Sequence, residues 1–219
     1  MDYKPSFNAA EGSYTPDLLI AGDFPVRADE ITLVSGAGSL PRGTLLGKIT
    51  VGAASGAKQS GTGDGTIGAV TTGTKTKVGT YVLTCIAAAA NAGTFQVVDP
   101  DGIVLPQLTV AVAYTGDHIN LTVADGAADW VVGDIIHVTV AAGSGKYKKS
   151  LLAATDGSNV PVCILSEDGD ATAADVTTLA YISGEFNSDA MTFGTGHTAA
   201  NTRDALRDRN IYLKTPVSA

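Results

Sequence analysis

Four places in this sequence hold residue types that could do chemistry. Glu167-Asp168-Gly169-Asp170 offers carboxylates in one short run, the raw material of a calcium loop. It lacks the roughly 12-residue spacing that ends in a bidentate Glu, so it reads as an acidic turn. Asp64 and the Asp99/Asp101 pair read the same way. His118, His137 and His197 are the histidines. The first two fall on outward positions of neighbouring strands, but no third ligand stands at a zinc-like spacing, and all three read as solvated surface side chains. Gly61-Thr62-Gly63-Asp64-Gly65 is glycine-rich, yet it lacks Gly-Lys-Ser or Gly-Lys-Thr and no long helix follows it. It therefore reads as a linker and not as a phosphate cradle. The serines and cysteines lie in strands and turns, outside any nucleophile-elbow pattern. No enzyme, no metal and no cofactor is expected on these grounds.

The elements that would position these residues are short strands. Gly is abundant at 26 of 219 residues, charged residues make up only 16%, and aromatics 6%. Small side chains, tight turns and the lack of a long helical period point to an all-β fold. The formal net charge is -8, and no Lys or Arg occurs between Ser150 and Thr202. Without a basic face, nucleic acid is not an expected partner. No apolar stretch approaches the roughly 18 residues of a membrane span, so no membrane is expected. The start lacks a basic run followed by an apolar one, so the chain is expected to be made in the cytoplasm. Cys85 and Cys163 each sit in an apolar strand, in segments assigned to different domains, and read as free small hydrophobes.

Along the chain, residues 1 to 22 carry Tyr3, Pro5, Phe7, Tyr14 and Pro16 with no periodicity. That is a frayed terminus or an arm that orders on a partner, and its aromatics favour the arm. Phe24 to Val34 reads as extended, and Thr44 to Val51 as a strand with Gly47 inside it at a bulge. Gly52 to Gly65 has flexible-linker composition. Five strands follow, at Thr80–Ile86, Thr94–Val98, Leu108–Tyr114, His118–Val123 and Ile135–Val140. Ile119, Leu121 and Val123 alternate with polar residues, as do Ile136, Val138 and Val140, so one face is apolar and the other wet. Trp130 is a core anchor or an edge cover. A second small-residue junction, Ala141 to Gly145, closes this stretch, so residues 60 to 143 read as a β-sandwich inserted into a loop of another domain. The host domain is then discontinuous, 23 to 59 with 144 to 219.

Two C-terminal segments complete the pattern. Pro161-Val162-Cys163-Ile164-Leu165 runs through the acidic turn to Tyr181-Ile182-Ser183-Gly184-Glu185-Phe186-Asn187 as two strands. Thr202 to Arg209, capped by Asn201 or Thr202, is the one good helix candidate. Its Arg203/Arg207 and Asp204/Asp208 pairs set like charges together, which hints at opposite charges supplied from elsewhere, but a solvated helix face is the favoured reading. Ile211-Tyr212-Leu213 closes as a strand.

These two segments resemble the C-terminal part of tailed-bacteriophage head decoration proteins, the lambda gpD-like family. The likeness covers 146 to 213 well and 23 to 59 loosely, and the inserted domain is similar to one seen in longer members. The resemblance implies a β-clip-like core that forms a homotrimer on the outer capsid surface of the virion and cements neighbouring major capsid protein subunits. It implies that the arm, with Tyr3, Pro5, Phe7 and Tyr14, grips the capsid, and that Tyr181, Glu185, Phe186, Arg203 and Arg207 serve the core or the trimer contact. A host-surface glycan or protein ligand for the inserted domain is the second reading.

Overall fold

A computed structural model describes residues 18–215. The longest strand, Val176–Asn187, organises the rest. In chain order the strands are β1 (Arg27–Leu33), β2 (Gly38–Leu40), β3 (Leu45–Lys48), β4 (Val51–Ser60), β5 (Thr71–Thr72), β6 (Gly79–Ala89), β7 (Ala92–Val98), β8 (Val104–Thr109), β9 (Ile119–Asn120), β10 (Ile135–Ala142), β11 (Tyr147–Lys149), β12 (Pro161–Leu165), β13 (Gly169–Ala171), β14 (Val176–Asn187) and β15 (Ile211–Lys214). The single α-helix among the described residues is α1, Ala199–Arg207. The all-β expectation is met.

One sheet runs β1-β11-β3-β12-β14-β15, and β14 pairs again with β1, so the first five strands close into a barrel. Strands β3, β12 and the end of β14 have two buried faces. Leu33, Leu46, Cys163, Leu165 and Ala180 fill the inside. Leu45, Ile164 and Phe186 point outward, where Leu206 of α1, Ile211 and Leu213 of β15, and Leu19 cover them. This is why Pro161–Leu165 reads as an unbroken apolar run with no alternation. The helix begins earlier than expected: Thr198 is the cap, and Asn201 is the third helical residue of a capping box. Thr198 Oγ1 accepts from the Asn201 amide at 3.2 Å, and Asn201 Oδ1 accepts from the Thr198 amide at 2.8 Å. Asn210, in the left-handed region at φ 61°, turns the chain from α1 into β15.

The second large sheet, β4-β10-β6-β7-β8, is built only from residues 51 to 142. Its inner face and the irregular layer around β5 and β9 enclose a core of Tyr81, Leu83, Phe95, Val97, Leu108, Ile119, Leu121, Val123, Trp130, Ile136 and Val138. The predicted alternation at 119–123 and 136–140 therefore holds, and Trp130 is an anchor with no exposed surface. Its ring meets Phe95 edge-on at 5.3 Å and its Nε1–H donates to the Ala124 carbonyl at 3.0 Å.

The linker reading of Gly52 to Gly65 is overturned. Residues 51 to 60 are strand β4, paired antiparallel with β10, so a joint at residue 60 would fall inside a strand. Small residues are required there by packing, not by flexibility. A Cβ on Gly56 would lie 2.5 Å from the Ile67 side chain, and one on Gly63 would lie 2.7 Å from the Trp130 ring. The chain crosses between the two sheets at 49–51 and 142–145. The two crossings are hydrogen-bonded to each other, Gly143 N–H to Thr50 O and Gly145 N–H to Ile49 O, both at 2.9 Å. Leu108–Tyr114 is shorter than expected as a strand: β8 ends at Thr109, and Ala111 takes φ 62°.

Both cysteines are free and buried. Burial pushes the Cys163 thiol up to about 12, which makes it inert. Among the described residues no helix is long and apolar enough to cross a membrane.

Trp130→Ala should lower the unfolding free energy by about 3–5 kcal/mol. Urea denaturation followed by circular dichroism checks this, since the variant loses the one Trp fluorophore.

Candidate functional site

Of the residues singled out in the sequence, Tyr181, Glu185 and Phe186 lie in the C-terminal half of β14. Here the chain's first described residues run back along the strand. Ile20 bridges antiparallel to Phe186. Ala21 N–H donates to Glu185 O at 2.9 Å, and Asn187 N–H donates to Leu19 O at 2.8 Å. The Asn187 side-chain amide donates to Leu18 O at 3.0 Å. Leu19 is in the core at 3% exposure. Residues 18 to 22, expected to belong to the free arm, are therefore part of the folded body. Tyr3, Pro5, Phe7 and Tyr14 lie outside the described residues.

Between Gly22 and Val26 the backbone leaves the ladder, and side chains take over. The Glu185 carboxylate pairs with Lys214 of β15 at 2.9 Å. The Lys214 ammonium beside it holds its pKa below the usual carboxylate range. Ser183 Oγ–H donates to Pro25 O at 3.0 Å. Phe24 meets Tyr212 edge-on at 4.9 Å. Gly22 leaves the carboxylate its place: a Cβ there would lie 1.6 Å from Glu185 Oε2 and push that side chain aside. The result is a clamp in which Ser183 and Tyr212 tie the root of the N-terminal segment to β14 and β15, with the Glu185–Lys214 pair against Gly22. The C-terminal side ends close by, where Ser188 Oγ lies 3.5 Å from Thr215 Oγ1. The described residues therefore begin and end beside Asn187 and Ser188.

The other nominated residues divide. Phe186 has no exposed surface, so it is core and unavailable to another copy. Tyr181 packs on Phe186 at 5.2 Å, with the Arg42 guanidinium 6.0 Å from its ring centroid and bonded to its hydroxyl at 3.2 Å. Arg207 pairs with Asp204 on the same helix at 3.6 Å, while Arg203 is half-buried. The acidic turn is a local staple. Asp168 accepts from the Arg42 amide at 2.7 Å, Glu167 from the Thr178 hydroxyl at 2.8 Å, and Asp170 from the Thr172 amide at 3.0 Å. Among the described residues no three His, Cys, Asp or Glu side chains gather into a metal-sized group.

The surface reading of the histidines needs two corrections. His197 is 8% exposed, with Nε2 3.0 Å from Ser150 Oγ. His118 is half-buried, with Nδ1 3.3 Å from the Tyr81 hydroxyl. Sequence reasoning missed both, and it missed the clamp. Gly22 and Glu185 are 163 positions apart, and only the barrel closure brings them together.

The fold and this clamp define an all-β structural protein whose recognisable geometry serves chain anchoring. The family model for Bacteriophage lambda head decoration protein D matches residues 8–211. The chain belongs to that family: it is a phage head decoration protein, of a class that binds the phage capsid. No curated protein matches it. Two crystal structures of Xanthomonas campestris FlgL, in space groups H3 and C2, are similar at 15% identity and a TM-score of 0.32. They cover 49% of this chain, which spans about a third of theirs (34% and 33%), and at that TM-score they bear no weight.

Glu185→Gln or Gly22→Ala should raise amide exchange at Leu19–Phe24 by roughly tenfold and leave the barrel strands protected. Because the Glu185 pKa is depressed in the fold, its contribution is present above the ordinary Glu range and is lost as pH falls through the folded value. Hydrogen exchange at stepped pH checks both statements, and Glu185→Gln should show no such acid step at these amides.

Proposed function

We propose that this protein is a cement: a trimer on the outer surface of the phage head, stabilising contacts between major capsid protein subunits. The observation that carries the reading is the clamp. It fixes the root of the N-terminal segment rigidly on β14, so that the preceding residues 1 to 17 are presented from a defined point. A segment with Tyr3, Pro5, Phe7 and Tyr14, launched antiparallel to a strand end, suits strand addition to an edge on the shell. Trimerisation multiplies a modest grip per arm into high avidity without any new contact.

Phe186 is excluded from subunit contact by its burial. Exposed apolar side chains of β14 are better placed for it: Leu179 and Ile182, at 46% and 37% exposure. Apolar groups of this kind form the dry centre of such interfaces. The sheet of residues 51 to 142 then serves as an outward projection that the grip does not require. The second reading, a glycan-binding projection, draws little support. Tyr81, Phe95 and Trp130 are fully buried, leaving Tyr114 as its one half-exposed ring from that aromatic set.

Deleting residues 1 to 17 should leave a folded protein that no longer co-sediments with undecorated heads. Replacing 51 to 142 with a short Gly-Ser link should leave co-sedimentation intact. Undiminished binding of the first variant would sink the arm, and loss of binding by a folded second variant would make the projection part of the grip.

A further inference from the structure

The join between barrel and projecting sheet is flanked by two clefts open to solvent. One, of about 750 Å3, is lined by Lys48, Thr74, Tyr147, Asn159, Ile182 and Arg209, among others. A second, of about 580 Å3, is lined by Lys75, Leu152, Asn159 and Thr195 among others. Asn159 lines both. It belongs to a strap, residues 151 to 160, that follows β11 and crosses the join. Two side-chain hydrogen bonds tie the strap to the projecting sheet's segment. Asn159 Nδ2 donates to Thr74 O at 3.2 Å, and Thr155 Oγ1 lies 3.3 Å from Thr72 Oγ1.

On the barrel side the strap is held by Leu152 N–H donating to Thr195 O at 3.1 Å, by the Asp156–Lys148 pair and by a buried relay. Ser150 and Ser158 have no exposed surface. Ser150 Oγ–H donates to Ser158 O at 2.7 Å, so toward His197 Nε2, 3.0 Å away, it accepts. The imidazole is therefore the Nε2–H tautomer, with a bare Nδ1. That Nδ1 is buried without a hydrogen-bond partner, as is Asn159 Oδ1. A proton gained by His197 must go to Nδ1. It would create a cation that is over nine-tenths buried with no carboxylate assigned to it.

We propose that His197 is an acid-sensitive latch: its neutral form pins the strap across the join, and its protonation releases the strap and loosens the projecting sheet from the barrel. This holds whatever the capsid contact proves to be. The charged groups on the elements packed nearby are already committed. Asp156 on the strap pairs with Lys148 of β11 at 2.5 Å, and Lys75 of the projecting segment pairs with Asp117 at 2.8 Å. The start of α1 presents Thr198 and Asn201, which carry no charge. Burial pushes the His197 pKa below the ordinary histidine range, against the pull of the Asn159 backbone and the Asn201 side chain. The sign follows. Latch stability is complete above the unfolded value, about 6.5, and declines as pH falls below it toward the folded value.

The test is amide exchange from pH 7.5 to 5.0, corrected for intrinsic rates, in the full chain and in His197→Gln. Gln keeps a donor toward Ser150 and does not titrate. In the wild type, protection over 151–160 and 72–76 should fall by roughly tenfold or more, with β12 and β14 unchanged. In His197→Gln it should not change with pH. Should that variant fail to fold, an NMR titration of the wild-type ring carbons decides, because the strap's midpoint must coincide with His197. Acid-independent strap exchange, the same acid loss in His197→Gln, or a midpoint that follows His118 or His137 would overturn the latch.

Discussion

The structure depends on β14 having partners along both edges. On one edge, β1 runs antiparallel from Leu33 opposite Val176 to Arg27 opposite Ser183, and Ile20 continues the line opposite Phe186. On the other edge, β12 pairs with its first half and β15, in parallel, with its second. Closing the barrel, seating the last strand and fixing the N-terminal root are thus consequences of one strand's hydrogen-bond ladder. Few backbone groups on β14 are left for water, although Leu179 and Ile182 keep exposed side chains. Where the ladder breaks at 22–26, Ser183 supplies a donor from its side chain, and Gly22 leaves the Glu185 carboxylate its place beside Lys214.

A protein built this way has a rigid body and a defined launching point for its termini. A decoration protein needs little more. Under the proposal its work is adhesion, and adhesion depends on how little freedom is lost on docking. The bonds of Leu18 to Ala21 to β14 fix where the described chain starts. The projecting sheet has a different relation to the body. It has its own core, and it meets the barrel through paired crossings and the strap of residues 151 to 160.

Much of the fold was legible because it rests on local pattern. The alternation at Ile136–Val140 and Ile119–Val123, the unbroken apolar run at Pro161–Leu165 and the long strand into Asn187 each announce a strand with a known number of buried faces. The failures have physical reasons. Gly52–Ser60 looks like a linker because its neighbours Ile67 and Val70 fill the space its own side chains would occupy, so small residues mark close packing there. Asn201 looked like a helix cap, but in a capping box it sits three residues inside. His197 sits in a Gly-flanked loop that reads as surface, and its burial comes from Ser150, 47 positions away. The clamp was half legible. Glu185 and Phe186 were singled out, but their real partners lie at the other end of the chain, and no spacing rule connects them.

The central claim is that the Asn187/Ser188 end of the barrel faces the shell, with residues 1 to 17 running out along it. Cryo-electron microscopy of heads decorated with this protein tests that directly. The account predicts three-fold clusters on the outer surface, with Leu18 and Asn187 at the shell and density for Tyr3 to Tyr14 lying beside a capsid strand. Clusters with that end turned to solvent, and contact made instead through residues 51 to 142, would contradict it.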